Sequence, residues 1–315
     1  MESSAVASRH ALAAPGAYRR MSSALASDRR KAARGAVVVP RAAAPGSPDA
    51  ARKKIAVVTG GAKGIGAACC RLLARDGWAV AVNHRTGSKD AADGVVASIV
   101  DAGGVAAAFP ADVSVEEDVV AMFAAIDDWA LAVDGVVAGL VNNAGVLNGP
   151  NGCKSVEHAS LEDLNAIFAV NVAGPMLCTR EALHRMSTKI SAGGKGKGGG
   201  AGGAVMNVSS GSAVIGRPLL YAMSKGALNS FQAGAVDELA AHGVRVNTVS
   251  PGMTDTNLID DIRDSFDLAK IPLGRFGTPE ETAECVCFLL GDAASYVSGA
   301  NVRVGGGRPP GTFLG

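Results

Sequence analysis

The chain has 315 residues, 48% of them apolar, with 41 glycines and a formal net charge of +1. That length suits one α/β domain of about 250 residues plus an appendage. The near-zero total hides an asymmetry, because residues 1–54 hold 11 Lys/Arg against 3 Asp/Glu and the remainder holds 19 against 26. An acidic body argues against a nucleic-acid-binding surface, and no apolar run is long enough for a membrane span.

The basic leader is rich in Ala, Ser and Arg and has no long apolar core of a secretory signal. This is the composition expected of an organelle transit peptide over residues 1–53, with a processing neighbourhood at Val37–Gly46. A plastid is the first expectation and a mitochondrion the second; a disordered tail or an over-extended gene model is the alternative. Cys69, Cys70, Cys153, Cys178, Cys285 and Cys287 form no C-x-x-C pair and no cluster with histidines. They read as small core residues of a reducing compartment, and no metal site is expected.

From Ile55 the pattern becomes regular. "IAVVT" is a short apolar run ending in glycines, as in a buried parallel strand. A helix is expected over about 65–76, a strand over Ala79–Asn83, a helix to about Asp101 and a strand in "GVAAAF". Ser114 is the natural N-cap of a helix over about 116–131. "GLVNNAG" reads as a strand and turn, 160–191 as one long helix, and "GGAVMNVSS" as a strand. Tyr221–His242 reads as a helix, "VRVNTVSPG" as a strand, Pro279–Leu290 as a helix and "ANVRVGGG" as a last strand. Alternation of this kind predicts an α/β fold, a single doubly wound parallel sheet with helices on both faces, over 54–307. Residues 308–315 are left as a tail, and Ser191–Gly203 is a low-complexity loop.

Two stretches carry chemistry. "TGGAKGIG" (Thr59–Gly66) joins a strand to a helix, where glycines let the backbone approach a pyrophosphate that rests on the helix N-terminus. "YAMSK" places Tyr221 and Lys225 one helical turn apart, on one face. A free phenol, with a pKa near ~10, is a poor proton donor and acceptor at neutral pH, and a nearby ammonium should lower that value.

The glycine spacing, with "NNAG" (Asn142–Gly145), "NVSS" (Asn207–Ser210), "YAMSK" and "PG" (Pro251–Gly252), resembles the short-chain dehydrogenase/reductase family over about 54–307. The resemblance implies a Rossmann-like fold and a catalytic tetrad of Asn171, Ser210, Tyr221 and Lys225. Lys225 would also bind the nicotinamide ribose, and Asn171 would hold a water beside it. The cofactor would be contacted by Thr59, Gly60, Lys63, Gly64, Ile65 and Gly66 in the turn. Asp112 and Val113 would meet the adenine, and Asn143, Ala144 and Gly145 the adenosine ribose. Pro251, Gly252 and Thr256 would hold the nicotinamide. Where NAD sites carry an acid at the end of the second strand, this chain has Asn83 followed by His84 and Arg85, and Lys63 lies within reach; two cations and no carboxylate favour NADP(H).

Ser210 lies 11 positions before Tyr221, a shorter loop than relatives carry. Ser209 and Ser212 are alternatives to Ser210, and 257–273 should form the substrate lid. The expected activity is NADPH-dependent reduction of a ketone. The substrate is either acyl-carrier-bound, as in 3-oxoacyl-[acyl-carrier-protein] reductase of fatty-acid synthesis, or a small ketone, sugar or alcohol. A non-catalytic NADP-binding regulator is the reading from another class. Arg185, Lys189, Lys195 and Lys197 are expected near the site's mouth, where they could meet an acidic carrier, although Asp237 opposes this. The expected assembly is a homotetramer, paired through helices 160–191 and 221–242 with close approach at Ala233, Gly234 and Ala235.

Overall fold

A computed structural model describes residues 52–152, 155–189, 200–264 and 266–308. The leader, Cys153, Lys195, Lys197 and the tail from 309 lie outside the described residues. Seven parallel strands run in the order β3-β2-β1-β4-β5-β6-β7. They are β1 (Lys53–Val58), β2 (Ala79–His84), β3 (Val105–Pro110), β4 (Gly135–Asn142), β5 (Gly203–Val208), β6 (Val244–Pro251) and β7 (Asn301–Val304).

The strands read as continuous apolar runs because both of their faces are covered. Ala56 and Val58 of β1 pack with α1 (Gly64–Arg75), α2 (Lys89–Asp101) and α8 (Pro279–Leu290). Ile55 and Val57, pointing the other way, pack with α3 (Glu116–Ala132), α5 (Gly174–Met186) and α7 (Leu219–Ala241). Cys69, Cys70 and Cys287 belong to the first core and Cys178 to the second, and burial pushes the Cys178 and Cys287 thiols up to about 12. Strand order reverses between β1 and β4, so the crevice at the carboxyl ends of these two strands is the place for a ligand.

Two expectations fail here. The single helix over 160–191 is α4 (Leu161–Phe168), a π-helical turn (Ala169–Ala173) and α5, which ends at Met186. Pro175 is the cause. A proline has no N–H to donate and its ring crowds the carbonyl four residues back, here that of Asn171, so the helix widens at that point. Ser114 does not cap α3. Its hydroxyl and its N–H both donate to Asp112 Oδ1, at 2.6 and 2.9 Å, and Val115 occupies the cap position with no side-chain bond.

Candidate active site

The turn between β1 and α1 is held from three directions. Gly60 and Gly64 have φ of +62° and +52°, which a side chain would disfavour. A carbon added at Gly66 would lie 2.3 Å from the Gly60 carbonyl oxygen, so only glycine lets α1 come this close. Thr59 Oγ1 accepts from the N–H groups of Asn143 and Ala144, and Asn143 Nδ2 donates back to the Thr59 and Gly60 carbonyls, all at 3.0–3.1 Å. The first N–H groups of α1 have no acceptor within the helix and are free for an anion.

Every residue expected at the site, apart from Thr59, Gly66 and Asn171, lines one groove of about 370 Å³; those three stand behind it. Tyr221, only 8% exposed, enters from the first turn of α7. Burial pushes its phenol up, and the opposing hydrogen bond from Ser210 does not cancel this. The phenol thus lies above its usual value and not below it as expected, because loss of water around the phenolate outweighs the Ser210 bond. The consequence is a protonated phenol at neutral pH, the form a proton donor needs. Lys225 Nζ is buried, 2.8 Å from the Val208 carbonyl that accepts from it and 5.6 Å from the Tyr221 ring centre. Burial pulls this lysine down to about 8.

The short loop after β5 folds into α6 (Ser212–Ile215) and still brings Ser210 to the phenol. Ser210 Oγ accepts from Ser212 N–H at 3.1 Å, whereas the Ser209 hydroxyl donates to the Lys225 carbonyl at 3.2 Å. Ser210 is thus the hydroxyl that faces the phenol.

A family model described as enoyl-(acyl carrier protein) reductase matches residues 60–308. The oxidoreductase YgfF of Escherichia coli strain K12 is 41% identical over 266 residues, covering 81% of this chain and 99% of its own. The 3-oxoacyl-[acyl-carrier-protein] reductase of Synechocystis is 34% identical over 257 residues, covering 81% and 96%. A solved short-chain dehydrogenase from Burkholderia cenocepacia, in complex with NADP, is 30% identical with a TM-score of 0.68, covering 81% and 97%. The chain belongs to the short-chain dehydrogenase/reductase family.

Within this short-chain dehydrogenase, several residues do other work than the sequence implies. Asn83 does not face a ribose with a free amide. Its Oδ1 accepts from Gly60 N–H at 3.2 Å, and its Nδ2 donates to the Phe109 and Ala111 carbonyls at 3.3 and 3.1 Å. It ties the glycine turn to the ends of β2 and β3. The exposed cations are Lys63 and Arg85, joined on the same wall by Ser88, which the sequence reading passed over. A hydroxyl three residues beyond Arg85 was the available signal. Burial alone would raise Asp112, but two bonds from Ser114 and the charge of Arg85 outweigh it, so the carboxyl lies below its usual range and stays ionised. The Thr256 methyl carbon would lie 3.2 Å from a side chain at Gly64, so Thr256 packs on the glycine turn.

The Asn171 amide makes three of its four possible hydrogen bonds. Nδ2 donates to the Val146 carbonyl and to Ser224 Oγ, and Oδ1 accepts from Val146 N–H, all at 2.9 Å. One lone pair of Oδ1 remains, so the amide can still accept a hydrogen bond from the expected water. Its bonds within the protein brace α7 against the 145–146 segment at the height of Lys225. A carbon added at Gly145 would lie 3.3 Å from Asn171 Oδ1 and 3.4 Å from Lys225 Nζ, so the absence of a side chain there keeps the lysine's flank open.

Arg185 and Lys189 are not at the mouth. Helices of a parallel sheet run back against the strands, so α5 ends beside the start of β5, the end of the sheet opposite Ser210. Thr188 N–H bonds the His242 carbonyl just before β6, and Gly202 N–H bonds the Met186 carbonyl just before β5. Arg185 is moreover committed, with two 2.8 Å bonds to Asp127, another to Glu181 and its guanidinium over the Phe123 ring.

Proposed function

We propose that this NADP(H)-dependent oxidoreductase works as a reductase of free ketones, in preference to carbonyl groups carried on a protein. The observation that carries the reading is the buried trio of Tyr221, Ser210 and Lys225 on one groove, with the phenol held in its protonated form. The cradle fits the cofactor. The glycine turn and α1 N-terminus suit the pyrophosphate, and Lys63, Arg85 and Ser88 suit a 2′-phosphate. The relative from Burkholderia cenocepacia was solved with NADP, which supports the same choice.

NADPH, when bound, supplies the hydride to the carbonyl carbon. Ser210 donates a hydrogen bond to the substrate oxygen and Tyr221 gives it the phenolic proton, leaving an alcohol. The Lys225 ammonium, beside the ring, then stabilises the tyrosinate until a proton returns from solvent. Preference for a free ketone rests on the far-end position of Arg185 and Lys189, which withdraws two of the cations that a carrier would use.

The test is NADPH oxidation with acetoacetyl-carrier protein beside a panel of small ketones and sugars. Higher kcat/KM for the carrier substrate would refute the preference, and no turnover with any carbonyl would favour a regulator. Fluorescence titration should show tighter binding of NADPH than NADH; equal affinities would contradict the cofactor assignment. The same reading includes a cleaved leader and a homotetramer, to be checked by N-terminal sequencing of native protein and by light scattering.

A further inference from the structure

The end of β2 carries a polar side chain with no role in the reaction as described. His84 is only 4% exposed and lines the groove beside Lys63, Arg85 and Ser88. Side chains alternate along a strand, and Val80 and Val82 of β2 pack into the core shared with α1 and α2. His84 continues that face, toward the side where α1 leaves the glycine turn and Ser88 opens α2. Asn83 continues the other face, where its amide bonds Gly60, Phe109 and Ala111. Among the described residues the other histidines, His158, His184 and His242, line no part of the groove.

The His84 ring is held at one nitrogen. Nδ1 lies 3.0 Å from the Arg85 carbonyl oxygen, which can only accept, so Nδ1 carries the hydrogen. Nε2 has no partner among the described residues, and it is not one of the polar atoms sealed away from water. The cavity that His84 lines is the cofactor groove, so this nitrogen is left for what the groove holds. In a neutral ring Nε2 is a lone pair, able to accept from a hydroxyl such as the 2′-OH of a ribose. A 2′-phosphate dianion has only acceptor oxygens, so Nε2 can meet it only as an N–H donor, and the ring is then an imidazolium.

The neighbours suit that anion. Lys63 comes from the glycine turn, Arg85 follows β2, and the Ser88 hydroxyl makes no capping bond to α2. The other charged groups around it are Asp90 and the Lys89–Asp93 pair of α2 and, after β3, Asp112 and Asp118, which accept from Ser114 and from the Asp112 N–H. Carboxylates, ammonium and guanidinium groups ordinarily keep their charge between about pH 6 and 8, where an imidazole does not.

We propose that His84 takes up a proton as NADP(H) binds and donates it in a hydrogen bond to the 2′-phosphate, so that the preference for NADPH over NADH strengthens as pH falls. The proposal rests on the placement of the 2′-phosphate given above and is independent of the carbonyl substrate. A merely structural His84, packed beneath the groove, would change affinity or stability on substitution but would not link the choice of cofactor to pH.

The experiment is fluorescence titration of NADPH and NADH at pH 6.5, 7.5 and 8.5. One coupled proton changes an affinity by at most about tenfold per pH unit, and the ratio of NADPH to NADH affinity should fall about tenfold from pH 6.5 to 8.5. The ratio isolates the 2′ end of the cofactor. A free phosphate monoester, with a second pKa near ~6, is mostly a dianion throughout, and Lys225, which burial brings to about 8, stands at the end that both cofactors share. In His84→Gln the ratio should stay level with pH. A level ratio in the wild type, or an equal slope in His84→Gln, would overturn the proposal while leaving the placement of the 2′-phosphate intact. Equal affinities for both cofactors at every pH would overturn that placement as well. If His84→Gln does not fold, calorimetric titration of the wild type at pH 7.5, in two buffers of different ionisation heat, decides: greater proton uptake with NADPH than with NADH supports the proposal, equal uptake overturns it.

Discussion

The two ends of the sheet treat their cations differently. At the amino ends of the strands, Lys54 pairs with Asp292, Arg75 with Glu284 and Arg185 with Asp127. Beyond the carboxyl ends, Arg263 pairs with Asp255 and Arg275 with Glu281, but Lys63, Arg85 and Lys225, the cations that line the groove, form no ion pair among the described residues. Cations already matched by carboxylates hold a structure together. Cations held without a carboxylate stand ready for anions or polar groups from outside, and the buried one, Lys225, is a cost to the empty protein.

The largest test of this contrast is Tyr221→Phe, which removes the proton donor from the unpaired end. Turnover should fall by about 10²–10⁴, with NADPH binding by fluorescence titration retained. Activity above about a tenth of wild type would exclude the phenol as the acid.

Lys225→Met comes next and separates function from stability. Activity and some cofactor affinity should be lost, yet the cofactor-free protein should become more stable at pH 7. Burial lowers the folded-state lysine from 10.5 to about 8, a penalty on the order of 3 kcal/mol that is fully present below the folded value. Between pH 8 and 10.5 the unfolded chain binds the extra proton, so wild-type stability rises with pH there and the advantage of the variant shrinks. Urea melts of both proteins at pH 7 and pH 10 measure this; a variant less stable at pH 7 would show that the Val208 bond outweighs desolvation.

The smallest effect on activity belongs to the paired end. Arg185→Ala should cost about 1–2 kcal/mol of stability, since its half-buried pair lies between exposed and fully buried cases. It should leave kcat/KM within about twofold, even with a carrier-bound substrate. A selective loss with the carrier would bring the docking surface back to this end.

The strands were legible because runs such as Ile55–Val58 are buried on both faces and contain little else. The glycine turn was legible because its backbone demands are local, and the Tyr221–Lys225 pair because one helical turn fixes its geometry. What escaped depends on relations between distant segments. The amide of Asn83 is claimed by Gly60, Phe109 and Ala111, which the neighbours of Asn83 in sequence do not reveal. The expectation for Arg185 came from counting charges without following the direction of α5. Ser114 went astray because Asp112, two residues away, captured its hydroxyl before the helix could. The π-helical turn was in plain view as Pro175, and only the habit of a 3.6-residue period concealed it.

Asn83 also limits how the enzyme can be redesigned. The customary route from NADPH to NADH in such folds is a single acid at the end of the second strand. Here that substitution would set a carboxylate against the Phe109 and Ala111 carbonyls, which now each accept a hydrogen bond from the amide. It would loosen the phosphate turn in the act of changing its preference. An engineer seeking an NADH-using variant has to leave this buried residue alone and begin at the exposed Arg85 instead.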